Sequence, residues 1–290
     1  MRILLTGSDG FTGLFFKKAA EAAGHVVHAL QADLREPQQL KTEVQSAAPE
    51  AVVHLAAISF VGHDNAADFY NVNVVGTVNL LNALTALPVP PQKVLLASSA
   101  NIYGNTDTSP IDEAQTPAPV NHYAASKVAM ELMAANYVAQ LPLVVARPFN
   151  YTGPGQADNF LIPKLVKHFK TKAPFIELGN LNVEREFNDV RMVCDAYLAL
   201  LKLQPSSQHL DVFNICSGTP YTLQQVLDAL TALTGHHIDV KVNPAFVRAN
   251  EVQKLCGNPQ RLQKAVGTLP SYTLQDTLQS MLQSTSELAS

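Results

Sequence analysis

Three cysteines, Cys194, Cys216 and Cys256, are all that the 290 residues contain, and no two form a Cys-x-x-Cys pair. An odd, scattered set implies neither a disulfide framework nor a zinc site, and leaves them as small apolar residues in a reducing compartment. An excess of basic residues is also missing: 20 Lys and Arg against 24 Asp and Glu give a net charge of −4. That balance argues against nucleic acid or a membrane surface as a partner, so an anionic ligand must meet a few local cations. No run of about 18 apolar residues occurs. The segment Met1-Arg-Ile-Leu-Leu-Thr-Gly7 leads straight into a strand and a glycine turn. The chain is therefore expected to be cytoplasmic, without a leader or a membrane span, and to hold no metal.

What is present is apolar residue in quantity, 47% of the chain, enough for a large core. Short apolar runs near Arg2–Thr6, His25–Leu30, Ala51–Leu55, Lys93–Ser98 and Leu143–Arg147 read as strands. Helical patterns near Thr12–Ala23, Pro37–Ala48, Asp68–Leu87 and Tyr123–Gln140 separate them. Strands alternating with helices predict βαβ units, hence an α/β fold with a Rossmann-type, doubly wound parallel sheet. After residue 150, prolines from Pro154 to Pro270 cut the chain into shorter pieces. Helices are expected there near Ile162–Thr171, Val190–Leu203, Thr222–Thr234 and Thr273–Ser284, and the polar tail Gln283–Ser290 is expected to fray. The layout predicts a dinucleotide-binding domain over 1–148, to which the chain returns at about 186–217. A smaller, irregular α/β substrate domain is expected over 149–185 and 218–290.

The first strand is followed by Gly7-Ser-Asp-Gly10-Phe11-Thr12-Gly13 and then a helix. Gly7 suits the tight turn, Gly10 lets backbone approach a pyrophosphate, and Gly13 allows close helix–strand packing. The helix N-terminus adds free N–H groups for phosphate. This turn is expected to hold NADPH or NADH. The second strand ends His28-Ala-Leu-Gln31, with neither an acid for a ribose 2′-hydroxyl nor a base for a 2′-phosphate. Asp33, about 20 residues past the glycines, fits the acidic role.

Tyr123-Ala-Ala-Ser-Lys127 opens a helix, so phenol and ammonium project from one face. Strand Lys93–Ser98 ends in Ser98-Ser99-Ala-Asn101-Ile-Tyr-Gly104, placing hydroxyls at the same carboxyl edge as the glycine turn. Hydride reduction of a ketone leaves an alkoxide that needs a proton. A free tyrosine with pKa near ~10 is a poor match to neutral pH, and a nearby Lys127 cation lowers it. Ser99 would hold the carbonyl oxygen.

Together these residues resemble the extended short-chain dehydrogenase/reductase family. The resemblance adds His54-Leu55-Ala56-Ala57, Asn73-Val-Val-Gly-Thr77 and Arg147-Pro148-Phe-Asn150. It implies that Leu55, Ala56, Ala57, Asn73 and Pro148 line the cofactor, and that helices Asp68–Leu87 and Tyr123–Gln140 build a homodimer through a four-helix bundle. Asp33-Leu34 fits, equally with the acidic role, an Asp-hydrophobic pair that the resemblance implies beside the adenine. The second half is similar to GDP-4-keto-6-deoxy-D-mannose reductases in Arg147–Gln156, Gly179–Arg191, Phe213–Gly218 and Asn243–Val252. That likeness implies a nucleotide-sugar-binding second domain: Arg185 and Arg248 on a diphosphate, Glu251 on the nucleotide ribose, Asn150 near the sugar, and Leu161 and Lys164 beside guanine. Arginine suits phosphate through its two parallel donors.

The related GDP-mannose 4,6-dehydratases carry a glutamate base two residues after the catalytic hydroxyl. Here that position is Asn101, and an amide removes no proton. Tyr151 replaces a usual His, Asn188 a usual Thr, and Asp9 puts an anion in the glycine turn. The leading expectation is reduction of a GDP-4-keto-6-deoxy-hexose, giving GDP-D-rhamnose or its C4 epimer GDP-6-deoxy-D-talose, or a 6-deoxyheptose analogue. A nucleotide-sugar 4-epimerase with tightly held NAD, a dehydratase-like enzyme and a non-catalytic dinucleotide sensor are the alternatives.

Overall fold

The computed structural model describes residues 1–181, 183–243 and 253–284. Apolar runs of four to six residues form β1 (Arg2–Thr6), β2 (Val26–Ala29), β3 (Ala51–His54), β4 (Lys93–Ala97) and β5 (Leu143–Pro148). Helices α1 (Phe11–Ala22), α2 (Pro37–Ala47), α3 (Ala66–Tyr70), α4 (Thr77–Thr85) and α5 (His122–Ala134) lie between them. The second half contributes β6 (Tyr151–Thr152), α6 (Leu161–Lys170), β7 (Phe175–Leu178), β8 (Glu184–Arg185), β9 (Asn188–Asp189) and α7 (Val190–Leu200). It continues with β10 (Asp211–Ile215), β11 (Tyr221–Thr222), α8 (Leu223–Thr234), β12 (Asp239–Val242), β13 (Lys254–Leu255), α9 (Gln260–Val266) and α10 (Leu274–Gln283).

Six strands pair in the order β10-β5-β4-β3-β1-β2, all parallel. Both faces of the sheet are covered, so β3 and β5 are buried along their length and read as unbroken apolar runs. On one face α1 and α7 bring Phe16, Val193 and Tyr197 against Ile3, Val53 and Ala146. On the other, α2, α4 and α5 bring Leu40, Leu80 and Met130 against Leu4, Val52 and Val145. Each such side chain stabilises the fold by roughly 1.5–3 kcal/mol. A further core of Leu165, Phe169, Ile176, Val226 and Leu278 joins α6, β7, α8 and α10. The chain reverses direction across the sheet between β1 and β3, which opens a crevice at the strands' carboxyl ends.

The helix expected over Asp68–Leu87 is instead α3, a wide π turn over Asn71–Gly76, and α4. At this turn Asn73 is buried and reaches the loop after β3. Its Oδ1 accepts the Ile58 N–H at 2.9 Å, and its Nδ2 donates to Ile58 O at 3.1 Å and to Ser126 Oγ at 3.0 Å. Gly76 leaves room for Leu34, whose Cβ would lie 2.9 Å from any Cβ placed there. Helix α5 likewise stops at Ala134 and tightens into a 3-10 turn over Ala135–Tyr137, short of Gln140.

Candidate active site

The crevice is a cleft whose walls come from the glycine turn, the ends of β3, β4 and β5, the face of α5, and the segment after β5. Gly7 has φ of +67°, and a Cβ on it would stand 2.8 Å from Ala56 N, so only glycine fits this approach. Gly13 packs against the Gly7 carbonyl in the same way. Gly10 is exposed and precedes α1 without capping it by a side chain. The first N–H groups of α1 therefore remain available to an anion. Asp9 is exposed and is not among the residues lining the cleft.

A buried strut fixes the opposite wall. Thr77 Oγ1 donates to Asn73 O at 2.7 Å, so it accepts from His54 Nε2 at 2.8 Å. The other ring nitrogen, Nδ1, then accepts from Thr6 Oγ1 at 2.7 Å. Thr6 Oγ1 in turn accepts the N–H groups of Leu55 and Ala56 at 3.1 and 3.0 Å. Burial pushes His54 down to about 3, which keeps the ring neutral and this direction unique.

Asn121 starts α5 by accepting the Ala124 N–H at 2.8 Å. Tyr123 and Lys127 follow on its buried face and meet Ser99, at the end of β4, in the cleft. Burial raises the Tyr123 pKa and the Ser99 hydrogen bond opposes that rise. The sequence predicts that Lys127, together with an oxidised nicotinamide, lowers it. The Lys127 ammonium donates to Ala97 O at 2.7 Å, and burial has brought its own pKa down to about 8. Glu131, one turn further along α5, works against that fall and is itself gripped by Arg147 through contacts of 3.0 and 2.6 Å.

Of the residues singled out in the sequence, Gly7, Gly10, Phe11, Thr12, Gly13, Leu55, Ala57, Ser99, Tyr123, Lys127, Pro148 and Asn150 line the cleft together. Ala56 and Asn73 sit directly behind it, holding the glycine turn and the 58 loop. Asp33 and Leu34 lie elsewhere. The Asp33 carboxylate is held at about 2 by Arg35, 2.6 Å away, and Leu34 is buried beneath α4. Leu161 is exposed, Lys164 donates to Glu177 O, and Arg185 donates to Glu184 O, none of them lining the cleft. Arg248 and Glu251 lie outside the described residues.

Ser59 and Phe160, from loops, and Leu255, from the two-residue β13, complete the walls without any local signal in the sequence, and Gln156, the last residue of the reductase-like segment, joins them. Tyr151 is half-buried, stacks on Phe11 and shares a 2.7 Å hydrogen bond with Thr12 Oγ1. Asn188 bonds Asn150 O at 3.2 Å and so braces the segment after β5. No carboxylate, imidazole or thiol lines the cleft among the described residues, and Lys127 is its only charged side chain. The glycine turn, the free α1 amides and the Ser99/Tyr123/Lys127 trio fit a nicotinamide dinucleotide, and nothing in the cleft would repel its phosphates.

Residues 14–281 match the family model described as GDP-mannose 4,6 dehydratase. The chain is 37% identical to a GDP-6-deoxy-D-talose 4-dehydrogenase of Aggregatibacter actinomycetemcomitans, over 94% of each chain. It is 32% identical to a GDP-6-deoxy-D-mannose reductase of Pseudomonas aeruginosa, over 97% of this chain and 96% of that one. Among solved structures, Pseudomonas aeruginosa RMD complexed with NADPH superposes with a TM-score of 0.88 at 31% identity, covering 97% and 96% of the two chains.

Proposed function

The chain belongs to the GDP-mannose 4,6-dehydratase family, and from that premise we propose that it reduces the 4-keto group of a GDP-4-keto-6-deoxy-hexose. The observation that carries this reading is the absence of any carboxylate, imidazole or thiol from the described cleft lining. Elimination of water from a sugar needs a base. Reduction of a ketone needs only an acid at the carbonyl oxygen, which Tyr123 provides. Two relatives that match 94% and 97% of this chain bear GDP-6-deoxy sugars in their names, and these sugars differ at C4.

Bound NADPH or NADH supplies the hydride. Ser99 orients the carbonyl oxygen and Tyr123 delivers the proton to it. The raised Tyr123 pKa suits this direction, because the phenol holds its proton until charge develops on the substrate. Lys127 then faces the phenolate left behind. Arg185, with Arg248, grips the diphosphate; Glu251 takes the nucleotide ribose; Asn150 meets the sugar; Leu161 and Lys164 flank the base. The product is GDP-D-rhamnose or its C4 epimer GDP-6-deoxy-D-talose, according to which face of the carbonyl meets the nicotinamide, and it feeds polysaccharide assembly in the cytoplasm.

The same reading divides the chain into a dinucleotide-binding domain, 1–148 with 186–217, and a nucleotide-sugar domain, 149–185 with 218–290. It also takes the chain as a homodimer, supported by exposed Val75, Leu132 and Met133 on the outer side of the π turn and α5. Incubation with GDP-4-keto-6-deoxy-D-mannose and either reduced nicotinamide tests the activity by loss of absorbance, and NMR of the product assigns C4. Tyr123→Phe is expected to slow turnover at least ~100-fold. No oxidation of either cofactor by the wild type defeats the proposal.

A further inference from the structure

Asn101 is a polar group of the cleft wall that the protein itself does not use; the buried hydroxyl of Ser98 is also unpartnered, but the Asn101 carboxamide presents a separate donor and acceptor. It stands two residues after Ser99 on a 3-10 turn, Ala100–Tyr103, which Ser99 caps by accepting the Asn101 backbone N–H at 3.2 Å. The turn is rigid. Ile102 and Tyr103 are fully buried behind it, and the Tyr103 hydroxyl donates to Asn214 at 2.7 Å and accepts from Arg147 at 2.9 Å. Asn101 itself is half-buried and lines the cleft, yet its carboxamide has no hydrogen-bond partner among the described residues. A polar group held this firmly and left unpaired is placed for a ligand.

The hydrogens on either side of a keto group are acidic. A base beside C3 or C5 of a 4-keto sugar removes them, and configuration is lost or water expelled. Every titratable side chain lining this cleft is engaged otherwise. Tyr123 is bonded to Ser99 and is the proton donor, Tyr151 is bonded to Thr12, and the Lys127 ammonium is donating to Ala97 O. Tyr197 is buried on α7, with its phenol held firmly protonated.

We propose that Asn101 is a specificity-determining residue that binds the 4-keto sugar through its neutral amide and leaves the C3 and C5 hydrogens in place, so that reduction alters C4 alone. The inference rests on the 4-ketoreductase reading above. In the wild-type reaction a hydride forms the new C4–H bond, the carbonyl π pair moves to O4, and the Tyr123 proton joins O4. No C–H bond breaks. With a carboxylate at position 101, the proton of C3 or C5 would pass to that carboxylate and the C–H pair would delocalise onto O4 as an enolate. Reprotonation from solvent would follow without any redox change.

The test is turnover in D2O with reduced nicotinamide, read by NMR of the product against an enzyme-free control for spontaneous exchange. The wild-type product is expected to carry no deuterium at C3 or C5. Asn101→Ala is expected to raise KM for the sugar nucleotide about fivefold to tenfold, the size of one neutral hydrogen bond, with the cofactor Kd unchanged. Asn101→Asp or Asn101→Glu is expected to introduce deuterium at C3 or C5. Cofactor Kd reports that each variant is folded. Deuterium in the wild-type product, an unchanged KM in Asn101→Ala, or two folded acidic variants without exchange each overturns the assignment. Failure to oxidise either cofactor instead defeats the reductase reading.

Discussion

Replacing Lys127 with methionine should make the ligand-free protein more stable while disabling it. Lys127 is 3% exposed, and burial has lowered its pKa from 10.5 to about 8. A fall of about 2.5, at ~1.36 kcal/mol for each pH unit, means that holding the charged form costs the folded state about 3 kcal/mol at neutral pH. Methionine has a similar reach without the charge. It forfeits the bond to Ala97 O, worth ~1 kcal/mol, and that carbonyl faces the cleft, where water can replace it. The net gain is about 2 kcal/mol, or roughly 4–8 °C in Tm for a chain of this size. Its pH dependence identifies the cause. In the unfolded chain Lys127 keeps its proton to about 10.5, and in the folded chain only to about 8. The variant's advantage is therefore full below pH 8, shrinks between 8 and 10.5, and disappears above. Melting curves of both proteins across pH 7 to 11 measure it. A lower Tm at pH 7, or an advantage that does not change with pH, refutes the reasoning.

Glu131→Gln leaves the Arg147 guanidinium buried without its counter-charge; both side chains are 8% exposed, so a loss of roughly 3–5 kcal/mol is expected in urea unfolding. The double change Glu131→Leu with Arg147→Met should recover most of that loss, and a double variant as weak as the single one would contradict this account. On the proposal that Asp33 stands beside the cofactor ribose, Arg35→Ala removes the cation that engages it, so the Kd ratio is expected to move from NADPH toward NADH. Titration of both cofactors measures the ratio, and no change would remove Arg35 from the cofactor site.

The strands and the meeting of Ser99, Tyr123 and Lys127 in one cleft were legible because each leaves a local pattern. A glycine turn after β1 or a Tyr-x-x-x-Lys at the start of a helix reports its own geometry. The π turn was not legible: Asp68–Leu87 keeps helical periodicity, and only the tertiary pull of Asn73 toward Ile58 and Ser126 widens one turn within it. Strands of two residues such as β6, β8 and β9 leave no period to read and exist through their pairing alone. The same limit hid Leu255, in the two-residue β13, and Ser59 and Phe160, which reach the cleft from loops. Asp33, spaced from the glycines as a ribose ligand would be, is engaged by Arg35 two residues away, a pairing that its spacing alone does not report.

The strut through Thr6, His54 and Thr77 also sorts what each wall of the cleft can offer. Because its direction is fixed, the amides of Leu55 and Ala56 are committed to Thr6 and are lost as donors to a ligand. Across the cleft the opening amides of α1 are uncommitted. The α1 wall thus offers free donors that suit phosphate, while the turn after β3 has two of its amides withdrawn. A dinucleotide in the cleft would meet two chemically unlike surfaces on its way to Ser99, Tyr123 and Lys127.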